Sequence, residues 1–480
     1  MRFIGSFVHT MRTLIGCAKI VTQIAGLLGI TFIWRTVIPS RSDDAITFFF
    51  NSLCKINVLY AKLFQSIALD ICPQSNSNIR ARLLSFTDNV PFISSDVDAD
   101  MLKTLESEYS IRFANNSGKY VPFKSGMVSL IFREQTGIGK LGNTILKMRR
   151  PHMDKQLDTA IDQIFVVLDG LSMLSWGGKY KMKELVTNHV NSLRSQLDFS
   201  QEVENMIQMR ENCAGLKYVV IPYPHADITR QFPSVILMEY IDGVHLTDVP
   251  PSDYVAFAKQ VIKFGAVTSF LHGCAHGDLH AGNLLFIKDA ADAKYPHKIG
   301  VIDFGIVFTI DQTFQSNLLA IFSELFITPA VELAEQIIES GIIEPVSRVR
   351  MLPQLYRQRM IQELADIIEA SIGPVLPSPP RSVRIAPGEL SGKLPGKIFD
   401  GSDKSPAQKQ VGLYEFLHRF YIYLDKTDVS VYNLYPSDDM VKLQGALMMA
   451  QGVTFSLCGE NHLKITQEVI NELFHLDVLM

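Results

Sequence analysis

Residues 275–286 read AHGDLHAGNLLF and residues 299–308 read IGVIDFGIVF, and these two stretches decide the fold. Each contains a short apolar run that is typical of a buried strand. Asp278 precedes the first run, Asp303 follows the second, and Asn283 stands five residues beyond Asp278. A hairpin with two capped turns is the simplest structural alternative, but it leaves the carboxylates beside the apolar runs unexplained.

The spacing Asp-x4-Asn, followed by an apolar strand and Asp-Phe-Gly, is that of kinase-fold phosphotransferases. In these enzymes an Asp orients the acceptor hydroxyl, while an Asn and the Asp of Asp-Phe-Gly hold Mg²⁺ against the nucleotide phosphates. We therefore predict a catalytic role for Asp278 and a metal-binding role for Asn283 and Asp303. His276 is interpreted as a buried hydrogen-bonding support of this loop and not as a base. His280 is either a phosphate contact or merely a loop residue.

Composition bounds the class of protein. At 480 residues the chain is long enough for a large core, and 47% hydrophobic with 20% charged residues places it at the apolar end of globular proteins. This composition favours membrane contact or a large buried helical core. The net charge of −4 gives no sign of a nucleic-acid partner. The six cysteines are scattered, which fits a reducing intracellular compartment and argues against a disulfide framework or a zinc site.

The first 42 residues carry five Lys or Arg and no acid, and residues 20–34 are almost wholly apolar. Three interpretations compete. Mitochondrial transit peptides are Arg-rich and poor in acids. A membrane anchor needs about 20 apolar residues, a length reached here only if Lys19 extends its charge to the interface. The third is a hydrophobic helix packed on the domain behind it. The basic flanks favour membrane association, so we predict a targeting or membrane-associated segment at 1–45, with the mitochondrion as a candidate compartment.

Apolar residues at helical spacing predict an amphipathic helix at 46–69, on which Lys62 and Gln65 share one face. Without further context these two residues form a solvated stripe. The stretch Tyr-Ala-Lys-Leu-Phe-Gln-Ser at 60–66, however, resembles the signature helix of the UbiB/AarF family of atypical kinases, which carries Lys-x-Gly-Gln. The resemblance implies that Lys62 and Gln65 project into the nucleotide site. Phe64 stands at the family's glycine position, which implies a changed contact between this helix and the cleft.

Two further motifs carry the resemblance. Lys147 lies in Thr-Ile-Leu-Lys-Met-Arg-Arg-Pro, which looks like the family's Val-x-Val-Lys-Val-x-x-Pro and implies a lysine that pairs with nucleotide phosphates. The stretch Gln-Leu-Asp-Phe-Ser-Gln-Glu-Val-Glu-Asn begins at Gln196 and is similar to the family's Glu-x-Asp with a later Glu and Asn. It implies that Glu202 is the partner of Lys147 and that Asp198 is a carboxylate of the cleft near the signature helix. Gln196 replaces the family's first acid.

Contacts to the nucleotide are predicted at two more places. A tight turn places Gly126 where kinases cover the phosphates, and a single glycine lets backbone N–H groups approach a phosphate. The glycine-containing turn at 137–142 is interpreted as a hairpin connection. The apolar strand Val-Ile-Leu-Met-Glu-Tyr-Ile-Asp-Gly at 235–243 resembles a kinase hinge, which implies that Met238 lines the back of the adenine pocket. The backbone from Glu239 to Ile241 then supplies the adenine hydrogen bonds.

The resemblance spans about residues 46–465 and implies an α+β, two-lobed protein-kinase-like fold with a family-specific N-terminal helical extension and a largely helical C-lobe. No Ala-Pro-Glu follows Asp-Phe-Gly, which disfavours a protein kinase that docks peptides on an activation segment. The predicted boundaries are 1–45 for the N-terminal segment, 46–120 for the helical extension, 121–243 for the N-lobe with a helical insertion, and 244–480 for the C-lobe, which includes a Pro-rich loop at 373–408.

The residues themselves predict Mg-nucleotide binding with phosphotransfer or ATP hydrolysis, and hence ATP or ADP and Mg²⁺ as cofactors. The resemblance implies a role in ubiquinone or other isoprenoid-lipid metabolism at a membrane, with an isoprenoid lipid and proteins of a lipid-biosynthetic complex as partners. Two alternatives stay open. One is a small-molecule kinase of the aminoglycoside or choline kinase type, whose loops also read His-Gly-Asp-Leu-His. The other is a pseudokinase scaffold that binds nucleotide or lipid without turnover.

Overall fold

The computed structural model describes residues 18–19, 22–27, 29–34, 36–37, 42–57, 59–60, 90, 92–135, 143–172, 190, 194, 196–324, 328–372, 419–420, 422–423 and 434–477. The predicted nucleotide contacts Lys62 and Gln65, the neighbouring Phe64, and the Pro-rich stretch at 373–408 lie outside these ranges.

Helices and strands are interspersed through the described ranges. The helices are α1 (Ser42–Ile56), α2 (Ala99–Tyr109), α3 (Met153–Ser172), α4 (Phe199–Asn212), α5 (Ala226–Gln231), α6 (Tyr254–Ala266), α7 (Gln312–Glu324), α8 (Ala330–Glu339), α9 (Val346–Arg350), α10 (Gln354–Ile372), α11 (Asp438–Cys458) and α12 (His462–Asp477). The strands are β1 (Lys124–Ser125), β2 (Ser129–Arg133), β3 (Thr144–Arg149), β4 (Val219–Val220), β5 (Val235–Glu239), β6 (Cys274–His276), β7 (Leu284–Lys288), β8 (His297–Val301), β9 (Val307–Thr309), β10 (Ile343–Glu344) and β11 (Tyr435–Pro436).

The chain divides into two compact units, and the division interrupts the sequence order. The first unit comprises Met1–Thr247, Ala281–Lys288 and Gly300–Ile306. The second unit comprises the remaining segments, which are Asp248–His280, Asp289–Ile299 and Val307–Met480. Asn283 with β7, and Asp-Phe-Gly, thus belong to the first unit, although the predicted boundaries assign them to the C-lobe. The segment Asp289–Ile299 between them belongs to the second unit.

The first unit is built on an antiparallel sheet with the strand order β1, β2, β3, β5. Successive side chains of a strand point to opposite faces, so Leu146 and Met148 of β3 face one way and Lys147 the other. The face that carries Leu146 and Met148 packs on α2 through the fully buried Leu102 and Leu105. An apolar face covered by a helix leaves the opposite face of β3 for a polar site.

A separate apolar cluster in the first unit joins α1 to α3. Leu53 and Leu59 pack with Leu157, and the hydroxyl of Tyr60 donates to the side chain of Gln163. The predicted helix at 46–69 begins earlier, at Ser42, and ends earlier, at Ile56. Asn57 is not helical, and its side-chain oxygen accepts from the N–H of Leu59 at 3.0 Å, so the single long helix that the pattern predicts is interrupted there. The apolar stripe of α1 buries against α3.

The second unit is mostly helical, and α6 packs on α11. A Cβ at Gly265 would lie 3.1 Å from the Cβ of Ala450, so a residue without a side chain lets the two helices approach closely. Val267–Leu271 continues α6 as a π-helical turn and leads into β6, which pairs with β9. A large apolar cluster holds α7, α8, α10 and α11 together.

Within the described ranges, no helix combines the length and the apolar character that crossing a bilayer requires.

Candidate active site

Lys147 sits in the middle of the sheet of the first unit. Its backbone registers with Ile131 of β2 on one side and with Ile236 of β5 on the other. Two flanking strands fix its position, and the alternation of β3 turns its side chain away from the apolar core. Its Nζ lies 5.5 Å from the ring centroid of Phe199, the first residue of α4.

Two carboxylates, each far from Lys147 in the sequence, converge on its ammonium group. The Nζ of Lys147 donates to both carboxylate oxygens of Glu202, at 2.6 and 2.8 Å, and to Oδ2 of Asp303 at 2.8 Å. The side chain of Glu202 is almost fully buried, whereas that of Asp303 is 31% exposed. The cluster therefore opens towards solvent on the Asp303 side.

One cation and two carboxylates leave one negative charge in excess. The pKa values of Lys147 and Glu202 both rise in this arrangement. Burial lowers the pKa of Lys147, but the charges of Asp303 and Glu202 raise it further and leave it above its ordinary value. Burial raises the pKa of Glu202 to about 7, with Lys147 opposing this rise and Asp303 adding to it. The lysine thus stays charged at neutral pH.

Helix α4 also holds the backbone that follows Asp303. The side-chain amide of Asn205 donates to the carbonyl of Phe304 at 2.9 Å, and the N–H of Phe304 donates to Oε1 of Glu202 at 3.5 Å. The N–H of Gly305 donates to Oδ1 of Asp303 at 3.0 Å. Both oxygens of Asp303 therefore have a donor, one from Lys147 and one from the backbone.

Asn283 and Asp303, the two predicted metal ligands, are tied together by the backbone of the first unit. The N–H of Ile302 donates to the carbonyl of Asn283 at 3.1 Å. Asn283 thus stands immediately before β7 at the level of the residue that precedes Asp303. A carboxylate and a side-chain amide oxygen are donors of the kind that Mg²⁺ prefers.

Asp278 belongs to the second unit and is fixed there by its own loop. Its N–H donates to Nδ1 of His276 at 3.2 Å, and its carbonyl accepts from the N–H of His280 at 2.9 Å. His276 is buried, and its Nδ1 accepts this bond, so it supports the loop in the manner expected. Nε2 of His280 lies 3.7 Å from the carboxylate of Asp278.

The turn that contains Gly126 is closed on itself. The N–H of Gly126 donates to the carbonyl of Ser129 at 2.9 Å, so this donor is already used. Its carbonyl accepts from Nε and Nη2 of Arg150, and Arg150 also bonds the hydroxyl of Ser125. In this arrangement Gly126 does not offer its own N–H to a phosphate, and its predicted contact would require the turn to open.

The predicted hinge lies at the end of β5. Met238 is buried and registers with Ile145 of β3. The N–H of Glu239 donates to the carbonyl of Tyr223 at 2.9 Å, so it is not available to an adenine ring in this arrangement. Ile241 is buried, and its side chain lies 3.1 Å from the position that a Cβ of Gly300 would take. Met238, Glu239 and Ile241 keep their predicted roles as hypotheses.

Asp198 and Gln196 differ in their surroundings. Asp198 is exposed and caps α4, because its carboxylate accepts from the N–H groups of Ser200 and Gln201. Gln196 lies next to the Asp-Phe-Gly turn: its Cγ is 3.7 Å from the position of a Cβ at Gly305. The residue that replaces the family's first acid therefore borders the candidate metal site, and the second acid caps the start of α4.

Sequence reasoning did not select Phe199, which lies under Lys147, or Arg150, which locks the loop of β1 and β2. No local sequence pattern marks either residue, because the partners of each lie elsewhere in the chain. Arg150 bonds Asp96 as well as the Gly126 turn. Its signal is visible only after the fold is known. In the described part of the chain, no group of three or more His, Cys, Asp or Glu side chains is placed to hold a metal ion.

Comparison with protein families identifies the domain. A family model described as the ABC1 atypical kinase-like domain matches residues 85–337, which is slightly more than half of the chain. This range contains Lys147, Glu202, Asp278 and Asp303.

Two curated proteins named probable protein kinase UbiB are similar to the chain. The protein from Marinobacter nauticus is 28% identical over 271 residues, which cover 54% of this chain and 47% of that protein. The protein from Shewanella woodyi is 24% identical over 304 residues, which cover 61% and 54%. The chain spans about half the length of these relatives. Among solved structures, the Rv3197–erythromycin complex from Mycobacterium tuberculosis aligns with a TM-score of 0.42 at 17% identity, covering 70% of this chain and 82% of that one.

Proposed function

The chain belongs to the ABC1 atypical kinase-like family, and we propose that it binds ATP or ADP with Mg²⁺ and transfers or hydrolyses the terminal phosphoryl group. The observation that carries the proposal is the contact of Lys147 with both Glu202 and Asp303. A kinase-fold site needs a lysine that is positioned by a carboxylate and that lies beside the metal-binding Asp. The first unit supplies this arrangement from three separate segments.

The donor set fits a magnesium ion. Mg²⁺ prefers oxygen ligands and is usually held by one or two protein groups together with phosphates and water. Asp303 and Asn283 supply a carboxylate and an amide oxygen, and the exposed side of Asp303 leaves room for further ligands. The cluster already carries one excess negative charge, which makes a cation favourable there. When bound, Mg²⁺ neutralises the charge that develops on the phosphates.

The remaining steps belong to side chains. Lys147 neutralises phosphate charge, and Glu202 holds the ammonium group in place from the buried side. Asp278, on a loop braced by His276, orients the attacking hydroxyl or water. Asn283 and Asp303 would hold the metal ion and, together with Lys147, the reacting phosphates. Because preorganised charge is a main source of rate enhancement, the buried carboxylate that positions the lysine contributes to the same effect.

The test is a thermal-unfolding series on the full chain with ATP, with and without Mg²⁺, beside a measurement of phosphate release. We expect wild type to gain stability with ATP and Mg²⁺ together. Asp303→Asn should lose the Mg²⁺-dependent gain, and Lys147→Met should lose the gain with nucleotide altogether. Gln208→Asn, a conservative change on the exposed end of α4, is the control. Equal shifts in all four proteins would refute nucleotide binding at this site.

We also infer that the chain acts at a membrane in ubiquinone or other isoprenoid-lipid metabolism, with the mitochondrion as candidate compartment and proteins of lipid biosynthesis as partners. The curated relatives carry the name UbiB, and the N-terminal segment is basic and apolar. Four apolar residues there are half or more exposed: Ile30, Phe32, Ile33 and Val37. Deletion of residues 1–42 should reduce the share of the protein in the membrane fraction. An equal share for the shortened and the full chain would count against this segment as an attachment.

A further inference from the structure

The peptide between Phe304 and Gly305 is held at both of its ends. Its carbonyl accepts from the side-chain amide of Asn205 at 2.9 Å, and its N–H donates to Oδ1 of Asp303 at 3.0 Å. A peptide unit is planar, with its C=O and N–H pointing in opposite directions. Whatever holds the carbonyl therefore aims the N–H, and the N–H in turn orients the carboxylate of Asp303.

The amide of Asn205 is itself oriented by a neighbour on α4. The side-chain amide of Gln201 donates to Oδ1 of Asn205 at 3.1 Å, across one helical turn. With its oxygen engaged in this way, Asn205 presents its NH₂ group to Phe304. The chain of contacts runs from Gln201 through Asn205 to the Asp-Phe-Gly backbone.

We propose that Asn205 is a positioning residue that sets the orientation of Asp303 and thereby the affinity of the site for Mg²⁺. The proposal rests on the nucleotide-binding function given above. The side chain of Asn205 bonds Gln201 and the carbonyl of Phe304, so it reaches Asp303 through the backbone. Partners that orient a metal ligand typically account for about 10-fold or more in metal affinity.

The matched control lies on the same helix. Gln208 donates to Asn212 at 3.0 Å, an identical pair in the same i, i+4 spacing, and Asn212 is the last residue of α4. Asn205→Asp replaces the donor with a carboxylate that repels the Phe304 carbonyl, whereas Asn212→Asp makes the same chemical change away from it. Gln201→Leu is the second variant, because it frees the Asn205 amide without introducing a charge.

The readout is the Mg²⁺ concentration that gives half of the ATP-dependent thermal shift, together with the shift produced by ATP alone. Asn205→Asp should raise that concentration about 10-fold and leave the metal-free shift unchanged, with a smaller rise for Gln201→Leu. Asn212→Asp should match wild type. If both Asn variants match wild type, the positioning role is refuted. If wild type itself shows no Mg²⁺ dependence, the proposed function fails instead.

A second and independent feature lies at the corner between α9 and α10 of the second unit. Residues 345–362 contain four arginines and no Lys, Asp or Glu. Arg357 bonds Glu339 and Arg359 bonds Glu363, both pairs being on the surface, where ion pairs contribute little and are screened by salt. Arg348 and Arg350 are also exposed, so the corner carries two exposed arginines besides the two that pair with glutamates.

Large apolar side chains protrude from the same corner. Met351 is 82% exposed and Leu355 is 75% exposed, and Tyr356 beside them is 45% exposed. Backbone hydrogen bonds between residues close in sequence order the corner. The N–H of Met351 donates to the carbonyl of Ser347, and the N–H of Tyr356 donates to the carbonyl of Pro353. An ordered turn that displays apolar side chains among arginines matches the chemistry of an interfacial membrane contact.

We infer that this corner inserts Met351 and Leu355 into the headgroup region of an anionic lipid surface, with the exposed Arg350 paired to a lipid phosphate. Protruding side chains on a turn suit a deformable lipid layer, whereas a folded protein partner would need a fitted pocket for each. The contact is separate from the N-terminal segment, and it places a face of the second unit on the membrane.

The experiment is co-sedimentation of the full chain with phosphatidylcholine vesicles, with and without phosphatidylglycerol, at two salt concentrations. Leu355→Glu should weaken binding to the anionic vesicles several-fold, and Arg350→Gln should weaken it about fivefold. Val331→Glu is the control, because Val331 is an exposed apolar residue on α8 beside Glu332. Equal binding of Leu355→Glu and Val331→Glu refutes the contact. Binding to soluble polyglutamate in place of vesicles would indicate an acidic protein partner and refute it as well.

Discussion

At the scale of single residues, the Lys147 cluster combines one positive charge with two carboxylates. One ammonium group satisfies two carboxylates, and only one of these, Asp303, is accessible to solvent. Because the buried partner cannot be solvated, its proton affinity rises, while the exposed partner keeps the capacity to bind a cation. The positions of the two acids on α4 and after β8 thus separate a structural carboxylate from a ligand carboxylate.

Removal of the lysine should be costly for the fold as well as for binding. Lys147→Met leaves Glu202 buried without a counter-charge, and breaking a buried pair on one side destabilises a protein by about 3 kcal/mol or more. Urea unfolding should show this loss, and the double variant with Glu202→Leu should recover part of it. Lys298→Met is the comparison, because Lys298 also bonds two acids, Asp289 and Asp292, but at the surface. A loss for Lys298→Met as large as that for Lys147→Met would contradict the argument.

The raised pKa of Glu202, at about 7, predicts how stability depends on pH. The folded protein holds this proton more tightly than the unfolded chain, in which the pKa is about 4.5. The group therefore stabilises the fold below that pH, and the contribution is lost as the pH rises through about 7. Urea midpoints between about pH 5 and pH 8 should fall less in Glu202→Gln than in wild type. Identical slopes would show that Glu202 does not titrate in this range.

At the scale of elements, β7 is held against the turn that follows the hinge. Val244 and Phe286 exchange backbone hydrogen bonds at 2.8 and 3.0 Å. A Cβ at Gly243 would lie 3.0 Å from the Cβ of Leu285 and 3.1 Å from the side chain of Ile287. Only a residue without a side chain permits this approach, and β7 begins directly after Asn283.

Gly243→Ala should therefore push β7 outwards and displace Asn283. We expect a loss of about 1–3 kcal/mol in unfolding free energy, as for other overpacked sites, and a weaker Mg²⁺-dependent shift with ATP. Gly215→Ala serves as the control, since a Cβ at that position meets no atom within 4 Å. A stable Gly243→Ala protein with normal Mg²⁺ dependence would separate the packing of β7 from the metal site.

Asp198 offers a test between a helix cap and a cofactor contact. Asn is as good an N-cap as Asp, whereas Ala costs about 1 kcal/mol. Asp198→Asn should thus keep the stability of wild type and Asp198→Ala should not, as measured by urea unfolding. If the carboxylate also serves the cleft, as the family resemblance implies, Asp198→Asn should weaken Mg²⁺-dependent nucleotide binding. Unchanged binding would leave the cap as its role.

What the sequence could predict at this scale follows from how local each signal is. The two strands that precede Asp-Phe-Gly are encoded by adjacent apolar residues, and β7 and β8 lie where the pattern indicates. The i, i+4 spacing of Asp198 and Glu202 is compatible with one helical face but cannot show where a helix begins, and α4 begins at Phe199. The closed turn at Gly126 depends on Ser129 and on the distant Arg150, so no local pattern predicts it.

At the scale of the whole molecule, the family prediction is confirmed by the match over residues 85–337, and with it the α+β kinase-like fold class. This level was predictable because several motifs occur in a fixed order, and order survives single departures such as Gln196. The predicted domain boundaries stay a prediction. Chain contacts group the segments at 281–288 and 300–306 with the first unit, and a division by sequence position alone cannot express this.

The two units divide the predicted roles, and this division gives the sharpest test of catalysis. Lys147, Glu202, Asn283 and Asp303 all belong to the first unit, whereas Asp278 belongs to the second. Asp278→Asn should consequently leave the Mg²⁺-dependent thermal shift with ATP intact while phosphate release falls by about 100-fold or more, the usual contribution of a group that accepts the proton.

The asparagine retains a side chain of the same size, and the loop bonds of His276 and His280 go to the backbone of Asp278, so the loop should keep its conformation. His280→Gln, which alters a neighbour in that loop, is the matched control and should retain most turnover. A chain with Mg²⁺-dependent nucleotide binding but equal, negligible turnover in wild type and Asp278→Asn is a nucleotide-binding scaffold. Loss of nucleotide binding in Asp278→Asn would instead mean that binding requires groups of both units.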